Sequence, residues 1–228
     1  GVKVVNRGVE RIGKRFLQAE LQRLGLSAVG ATREGDPDER LFVKSDWNSG
    51  GQSERLLSPA WRASLRLPDL PARVPERHAY SVVRRGDLDP ALFDDPLLAV
   101  ERYVERDDDL MLRVFVAGRH GVLFRILFEG QIKRLLKARE IRAFALERDA
   151  DSFRASEPLD SFVPPILRDA ARFCDGFGLE FGCLDIILDR ADRGVIVDVN
   201  LTPYFGPLRD ELGHFAHLRS GLLALTPR

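Results

Sequence analysis

Two short apolar runs decide how this chain folds: Cys183-Leu184-Asp185-Ile186-Ile187-Leu188 and, across an acidic turn, Val195-Ile196-Val197-Asp198-Val199-Asn200. Their length and spacing read as a β-hairpin. Each run is interrupted by an aspartate. Side chains alternate along a strand, so Asp198 and Asn200 share a face, and Asp185 on the neighbouring antiparallel strand reaches the same face. Carboxylates set unpaired among apolar neighbours are costly, so this pattern calls for a partner. Two carboxylates and a carboxamide oxygen make the donor set of a hard divalent cation. Magnesium held this way takes its remaining ligands from water and substrate phosphates. The plainer reading, an exposed edge hairpin, accounts less well for acids flanked by isoleucine and valine.

Working outward, Leu110 to Ala117 and Val122 to Phe128 read as a second hairpin around Gly118 to Gly121. Arg113 and Arg125 sit one on each strand amid apolar neighbours, a pair that would clamp a polyphosphate. A helix is expected from about Pro164 to Phe177, a helical stretch over Ala138 to Glu147, and a C-terminal helix over Leu208 to Leu225. Towards the N-terminus, Val2, Val4 and Val5 precede the turn Asn6-Arg7-Gly8. Then Val9, Ile12, Phe16, Leu17, Leu21 and Leu24 recur at helical spacing until Gly25. Strands are read at Leu26 to Ala31, Leu41 to Lys44, Ala79 to Val83 and Leu97 to Val104, and Ser58 to Pro75 as irregular. Mixed elements with hairpin connections favour an α+β fold with mostly antiparallel sheets.

Lys44 ends its strand and runs into Ser45 to Gln52, which holds Ser49, Gly50 and Gly51. Adjacent glycines let backbone N–H groups approach an anion, and the lysine adds a point charge. The lysine precedes the glycines, so this is not the Walker arrangement. In the extended segment Leu98 to Glu105, Glu101 and the backbone beyond it suit an adenine amino group, and a later acid among Asp107, Asp108 and Asp109 suits ribose hydroxyls. Taken alone, a solvated strand with an acidic turn is the plainer reading. His78, His120, His214 and His217 read as ordinary loop or helix-face residues.

Composition excludes several classes. With 228 residues, the chain is long enough for one sizeable domain or two lobes. Thirty-five basic and 35 acidic residues give a net charge of +0, which offers no overall field for nucleic acid or anionic lipid. There is no membrane-length apolar run and no signal peptide, and the two cysteines form no disulfide framework, so a cytoplasmic protein is expected.

The order of these signals resembles the ATP-grasp superfamily from about Asn6 to Gly206. By that resemblance, Lys14 and Lys44 would contact ATP phosphates, and Ser49, Gly50 and Gly51 would form the flexible phosphate loop. Glu101, Tyr103 and Val104 would form the adenine hinge, and Asp108 or Asp109 would bind ribose. Arg113 and Arg125 would approach the phosphates or an acyl phosphate. Asp185, Asp198 and Asn200 would hold Mg2+, with Thr202-Pro203 and Gly206 in the loop beyond. The sequence departs from the family in using two aspartates where glutamate is common, and in the bulky Trp47 at the phosphate loop. The N-terminal substrate-binding domain that usually precedes this unit is not in this sequence.

The resemblance implies two α+β lobes clamping the nucleotide, residues 1–105 with the phosphate loop and residues 106–228 with the metal site. It implies an ATP- and magnesium-dependent ligase that activates a small-molecule or peptide carboxylate as an acyl phosphate for attack by an amine. A small-molecule kinase and a non-catalytic ATP-binding module are the alternatives. A missing domain would also leave an apolar face that favours a homo-oligomer.

Overall fold

The computed structural model describes residues 4–9, 11–47, 56–64, 80–106, 109–128, 138–203 and 213–225. The chain forms two units. The first comprises Gly1–Arg11, Leu17–Ala28 and Val104–Arg228, and the second comprises Ile12–Phe16 and Val29–Tyr103.

The second unit is built on a three-stranded antiparallel sheet of β1 (Arg40–Ser45), β2 (Ser81–Arg84) and β3 (Leu98–Arg102), in the order β2-β1-β3. Leu41, Val43, Leu98 and Val100 form one face, which packs with Leu88 into a small core. The first turn of helix α1 (Lys14–Arg23) belongs to this unit. That helix begins five residues after Val9, where the apolar periodicity starts. The reason is a tertiary cap: Lys14 N donates to the Asp46 carbonyl (3.1 Å) and Arg15 N to Asp46 Oδ1 (2.7 Å). A carboxylate at the positive end of a helix satisfies free donors and complements the dipole. A Cβ on Gly13 would lie 2.7 Å from Asp46 Oδ2, so glycine leaves room for the cap. The expected strand at Leu26 to Ala31 is not a ladder strand: Gly30 makes one isolated bridge to Glu101. Within the stretch read as irregular, Pro59–Ser64 is a short helix, α2.

The first unit is built on a six-stranded antiparallel sheet. Its strands are β4 (Leu110–Ala117), β5 (His120–Phe128), β6 (Ala138–Arg148), β7 (Phe153–Ala155), β8 (Phe181–Leu188) and β9 (Gly194–Asn200), in the order β7-β6-β5-β4-β8-β9. The stretch from Ala138 to Glu147 is therefore strand β6 and not a helix. Its residues are good helix formers, but they pair with β5 from His120↔Glu147 to Phe128↔Ala138. Ile141 and Ala143 also pack on the sheet core, and this tertiary pairing overrides local propensity.

One face of the sheet carries Met111, Phe115, Ala117, Val122, Phe124, Ile126, Phe128 and Cys183, packed with Leu218 and Leu222 of α4 (His214–Leu225). Helix α3 (Val163–Phe177) turns its buried stripe to the other face, where Ile166 and Ile186 both close on Gly194. α3 ends at Gly178, whose φ of 75° is the left-handed cap conformation. Asn6 closes the other end of β8: its Oδ1 accepts from Glu180 N (2.8 Å) and Phe181 N (2.9 Å), and its Nδ2 donates to Phe181 O (2.6 Å). Val4 and Val5 lie in no strand. Among the described residues, no helix is long and apolar enough to cross a membrane.

Candidate functional site

In the first unit, strand register assembles a polar row on the α4 side of the sheet. Arg113 of β4 lies opposite Asp185 of β8, and Asp185 lies opposite Asp198 of β9. The β8–β9 register shifts by one between Asp185 and Ile186, a bulge that brings Asp198 level with Asp185. Asn200, opposite Cys183, falls on the same face. The structure thus brings Asp185, Asp198 and Asn200 together.

Arg113 grips Asp185 with a two-pronged bond, Nε to Oδ1 at 2.6 Å and Nη2 to Oδ2 at 2.7 Å. Both residues are buried. Burial works against the Arg113 charge, but Asp185 outweighs it, so the guanidinium pKa stands above its ordinary value. Asp198 Oδ1 accepts from its neighbour Val199 N at 2.9 Å.

The donors in this row suit magnesium. A carboxylate offers about four lone-pair sites, and the Arg113 fork takes two of those on Asp185. Asp198 and Asn200 add a second carboxylate and a carboxamide oxygen. Burial, with Asp185 nearby, pushes the Cys183 thiol well up, and burial pushes Cys174 up to about 12, so both are protonated at neutral pH.

Arg125 does not join this row. On β5 it lies opposite Leu112 and Arg142, whereas Phe124 lies opposite Arg113. Arg125 therefore points to the other face of the sheet, where its Nε is 3.4 Å from Asp160 Oδ2. The expected two-arginine clamp fails because neighbouring positions of a pleated ladder face opposite ways.

In the second unit, Lys44 and Glu101 form a buried ion pair, Nζ to Oε2 at 2.8 Å, with side chains 5% and 3% exposed. They stand on the face opposite the apolar core, diagonal to one another across β1 and β3. Phe42, directly across from Glu101, stacks on Tyr80 at 5.7 Å. The ion pair engages one oxygen of Glu101, the residue that begins the expected adenine hinge. Lys14, at the start of α1, is 1% exposed. Beyond β3, Tyr103 N donates to Arg40 O (2.9 Å), and the Arg40 guanidinium lies 4.4 Å over the Tyr103 ring.

Of the remaining expected residues, Val104 is half-buried and opens the first unit's C-terminal segment. Asp109 sits at φ 49°, its carbonyl accepting from Phe128 N (3.2 Å). Ser49, Gly50, Gly51 and Asp108 lie outside the described residues, as does Gly206. The sequence did not disclose the Arg113–Asp185 fork, the Lys44–Glu101 pair or the Asp46 cap, because each depends on strands that are distant in sequence.

No protein-family model and no curated protein matches the chain. Solved structures do. The ATP-grasp ligase PsnB, complexed with a minimal precursor, Mg and ADP, superposes with a TM-score of 0.58 at 14% identity, over 99% of this chain and 63% of that one. A RiPP-associated ATP-grasp ligase from Chryseobacterium gregarium, in complex with ADP and a leader and core peptide, gives 0.55 at 15% identity, over 97% and 62%. The macrocyclase MdnC from Microcystis aeruginosa, bound with precursor peptide MdnA, gives 0.52 at 16% identity, over 98% and 61%. The chain thus spans somewhat under two thirds of these relatives. Its fold is the ATP-grasp fold, an α+β architecture with antiparallel sheets.

Proposed function

We propose that the chain is an ATP- and magnesium-dependent ligase that activates a peptide carboxylate for attack by an amine. The observation that carries this reading is the Asp185–Asp198–Asn200 row, set by strand register on one face of an ATP-grasp sheet. The similar ligases solved with Mg, ADP and precursor peptides supply the substrate class.

In this reading Asp185, Asp198 and Asn200 hold Mg2+, which when bound supplies charge neutralisation at the phosphates. Arg113 fixes the orientation of Asp185 and acts as a positioning residue. Lys44 and Lys14 serve the phosphates, with Ser49, Gly50 and Gly51 as the covering loop. The segment at Tyr103 and Val104 serves the adenine, and Asp108 or Asp109 the ribose. A substrate carboxylate oxygen attacks the γ-phosphorus and ADP departs. The amine then attacks the acyl carbon, and the bond from that carbon to the phosphate-bearing oxygen breaks. Phosphate departs with that oxygen and the bonding pair, and the nitrogen gives up a proton to leave the amide. The chain needs no dedicated nucleophile, because positioning and neutralisation supply the rate.

Calorimetric titration with a non-hydrolysable ATP analogue, with and without magnesium, tests this on wild type and Asp198→Asn. Asp198 is preferable to Asp185 because its loss leaves the Arg113 fork in place. Magnesium-dependent binding in the wild type and its loss in the variant is the expected result. Equal binding in both would remove the metal assignment, and no binding by the wild type would remove the nucleotide reading.

A further inference from the structure

Away from the Asp185 row, the first unit brings together three metal-ligating side chains that the proposed ligase chemistry does not use. His120 opens β5, Glu147 lies directly opposite it on β6, and His217 reaches them from α4. One donor atom from each lies within 4.8 Å of the other two. His120 Nε2 is 3.4 Å and His217 Nε2 3.8 Å from the same oxygen, Glu147 Oε1, and the two imidazole rings stand 4.6 Å apart. We propose that His120, Glu147 and His217 form a zinc site that clips α4 to the paired strands β5 and β6.

The distances favour an ion over a plain ion pair. A separation of 3.4 Å is long for a good hydrogen bond. It is the spacing of neighbouring ligands around one tetrahedral zinc, since bonds of about 2.0–2.2 Å put them roughly 3.3–3.6 Å apart. Two imidazole nitrogens and one carboxylate suit a borderline ion such as Zn2+, whereas Mg2+ prefers an all-oxygen set. Glu147 is 63% exposed, which gives the ion an approach and leaves a fourth position for water.

The helix is already pressed into place for this. Gly221 lies one turn beyond His217 on the same face of α4. A Cβ there would fall 2.1 Å from the Ala117 carbonyl oxygen and 2.9 Å from His120 Cβ. His217 Nε2 also contacts the Leu146 carbonyl at 2.8 Å, so ligation through that nitrogen exchanges a carbonyl for the ion.

The test is titration of untagged, chelator-treated protein with Zn2+ in excess magnesium, followed by calorimetry and thermal unfolding. One equivalent should bind and raise the unfolding temperature. Glu147→Gln and His217→Gln should each weaken binding at least tenfold and abolish the thermal shift. Because Glu147 is exposed, its variant tests the site without threatening the fold. Asp198→Asn should bind zinc as the wild type does, which separates this site from the proposed magnesium row. A wild type that takes up no stoichiometric zinc, or variants that bind it unchanged, would overturn the proposal.

Discussion

The two units each bury one ion pair beside a functional candidate, and the pairs are built differently. In the first unit Arg113 and Asp185 are directly opposed and share two parallel bonds of 2.6 and 2.7 Å. In the second, Lys44 Nζ lies 2.8 Å from Glu101 Oε2, diagonally across two strands. A planar guanidinium fork fixes both partners, while a lysine head on a flexible stem is a point charge that can be redirected. In the proposed ligase the first pair would therefore act as a positioning lock for one carboxylate of the metal row. In the same proposal the second would hold a cation in reserve, which an arriving phosphate would draw from Glu101.

Removing one partner from each pair should break or sharpen this contrast most strongly. Asp185→Ala leaves the Arg113 guanidinium buried and uncompensated, and it cannot shed its proton. The expected loss is about 3–5 kcal/mol by chemical denaturation. Glu101→Ala removes one partner of Lys44, whose flexible stem lets the ammonium be redirected, so the expected loss is smaller, about 1–3 kcal/mol. A larger loss for Glu101→Ala would reverse the assignment of lock and reserve. The double replacement Arg113→Met with Asp185→Leu removes both charges together. It should recover most of the stability while eliminating magnesium-dependent nucleotide binding, which separates the structural role of the pair from its site role.

The units differ in alkaline sensitivity too, because both cysteines of the chain lie in the first. Burial raises Cys174 to about 12 from an ordinary value of 9.0. Below pH 9 the thiol is protonated in both folded and unfolded chains and has no effect. Above it the unfolded chain releases the proton and the folded one does not. Stability therefore falls as pH rises between about 9 and 12, by about 1.4 kcal/mol per pH unit for this thiol. Urea midpoints at pH 8 and 10 should separate for the wild type and draw closer in Cys174→Ala, with the buried Cys183 thiol carrying part of the remainder. A separation unchanged in the variant would show that other groups carry the alkaline loss.

What was legible in the sequence was what depends on period two. Asp185, Asp198 and Asn200 could be placed on one face because alternation along a strand is a local property, and the hairpins at Leu110 to Phe128 and Cys183 to Val199 declared themselves by apolar runs and turns. What failed was what depends on partners. Arg125 was grouped with Arg113 by sharing a hairpin, but only the register, Phe124 opposite Arg113, reveals that they face apart. Residues 138–148 carry Ala, Arg, Glu and Leu, a helical composition, and their strand state is imposed by β5. That misreading also hid the histidine cluster, since Glu147 comes beside His120 only once β6 is a strand.

The smallest expected effects compare how helices are ended in the two units. The N-terminus of α1 is capped by Asp46, which lies in the second unit, just past the end of β1. The C-terminus of α3, in the first unit, is closed by Gly178 at φ 75°. Asp46→Ala removes a cap carboxylate, and Gly178→Ala forces a Cβ into the left-handed region, each costing about 1 kcal/mol. The two should nevertheless differ in how they are rescued. Asp46→Asn retains an oxygen acceptor for Arg15 N and should restore most of the stability, leaving only the charge–dipole part, a few tenths of a kcal/mol. At position 178, asparagine tolerates the left-handed region better than alanine and should recover part of the loss. If Asp46→Asn were no better than Asp46→Ala, the carboxylate would be acting on the helix by charge alone. The short bond to Arg15 would then be incidental to where α1 begins.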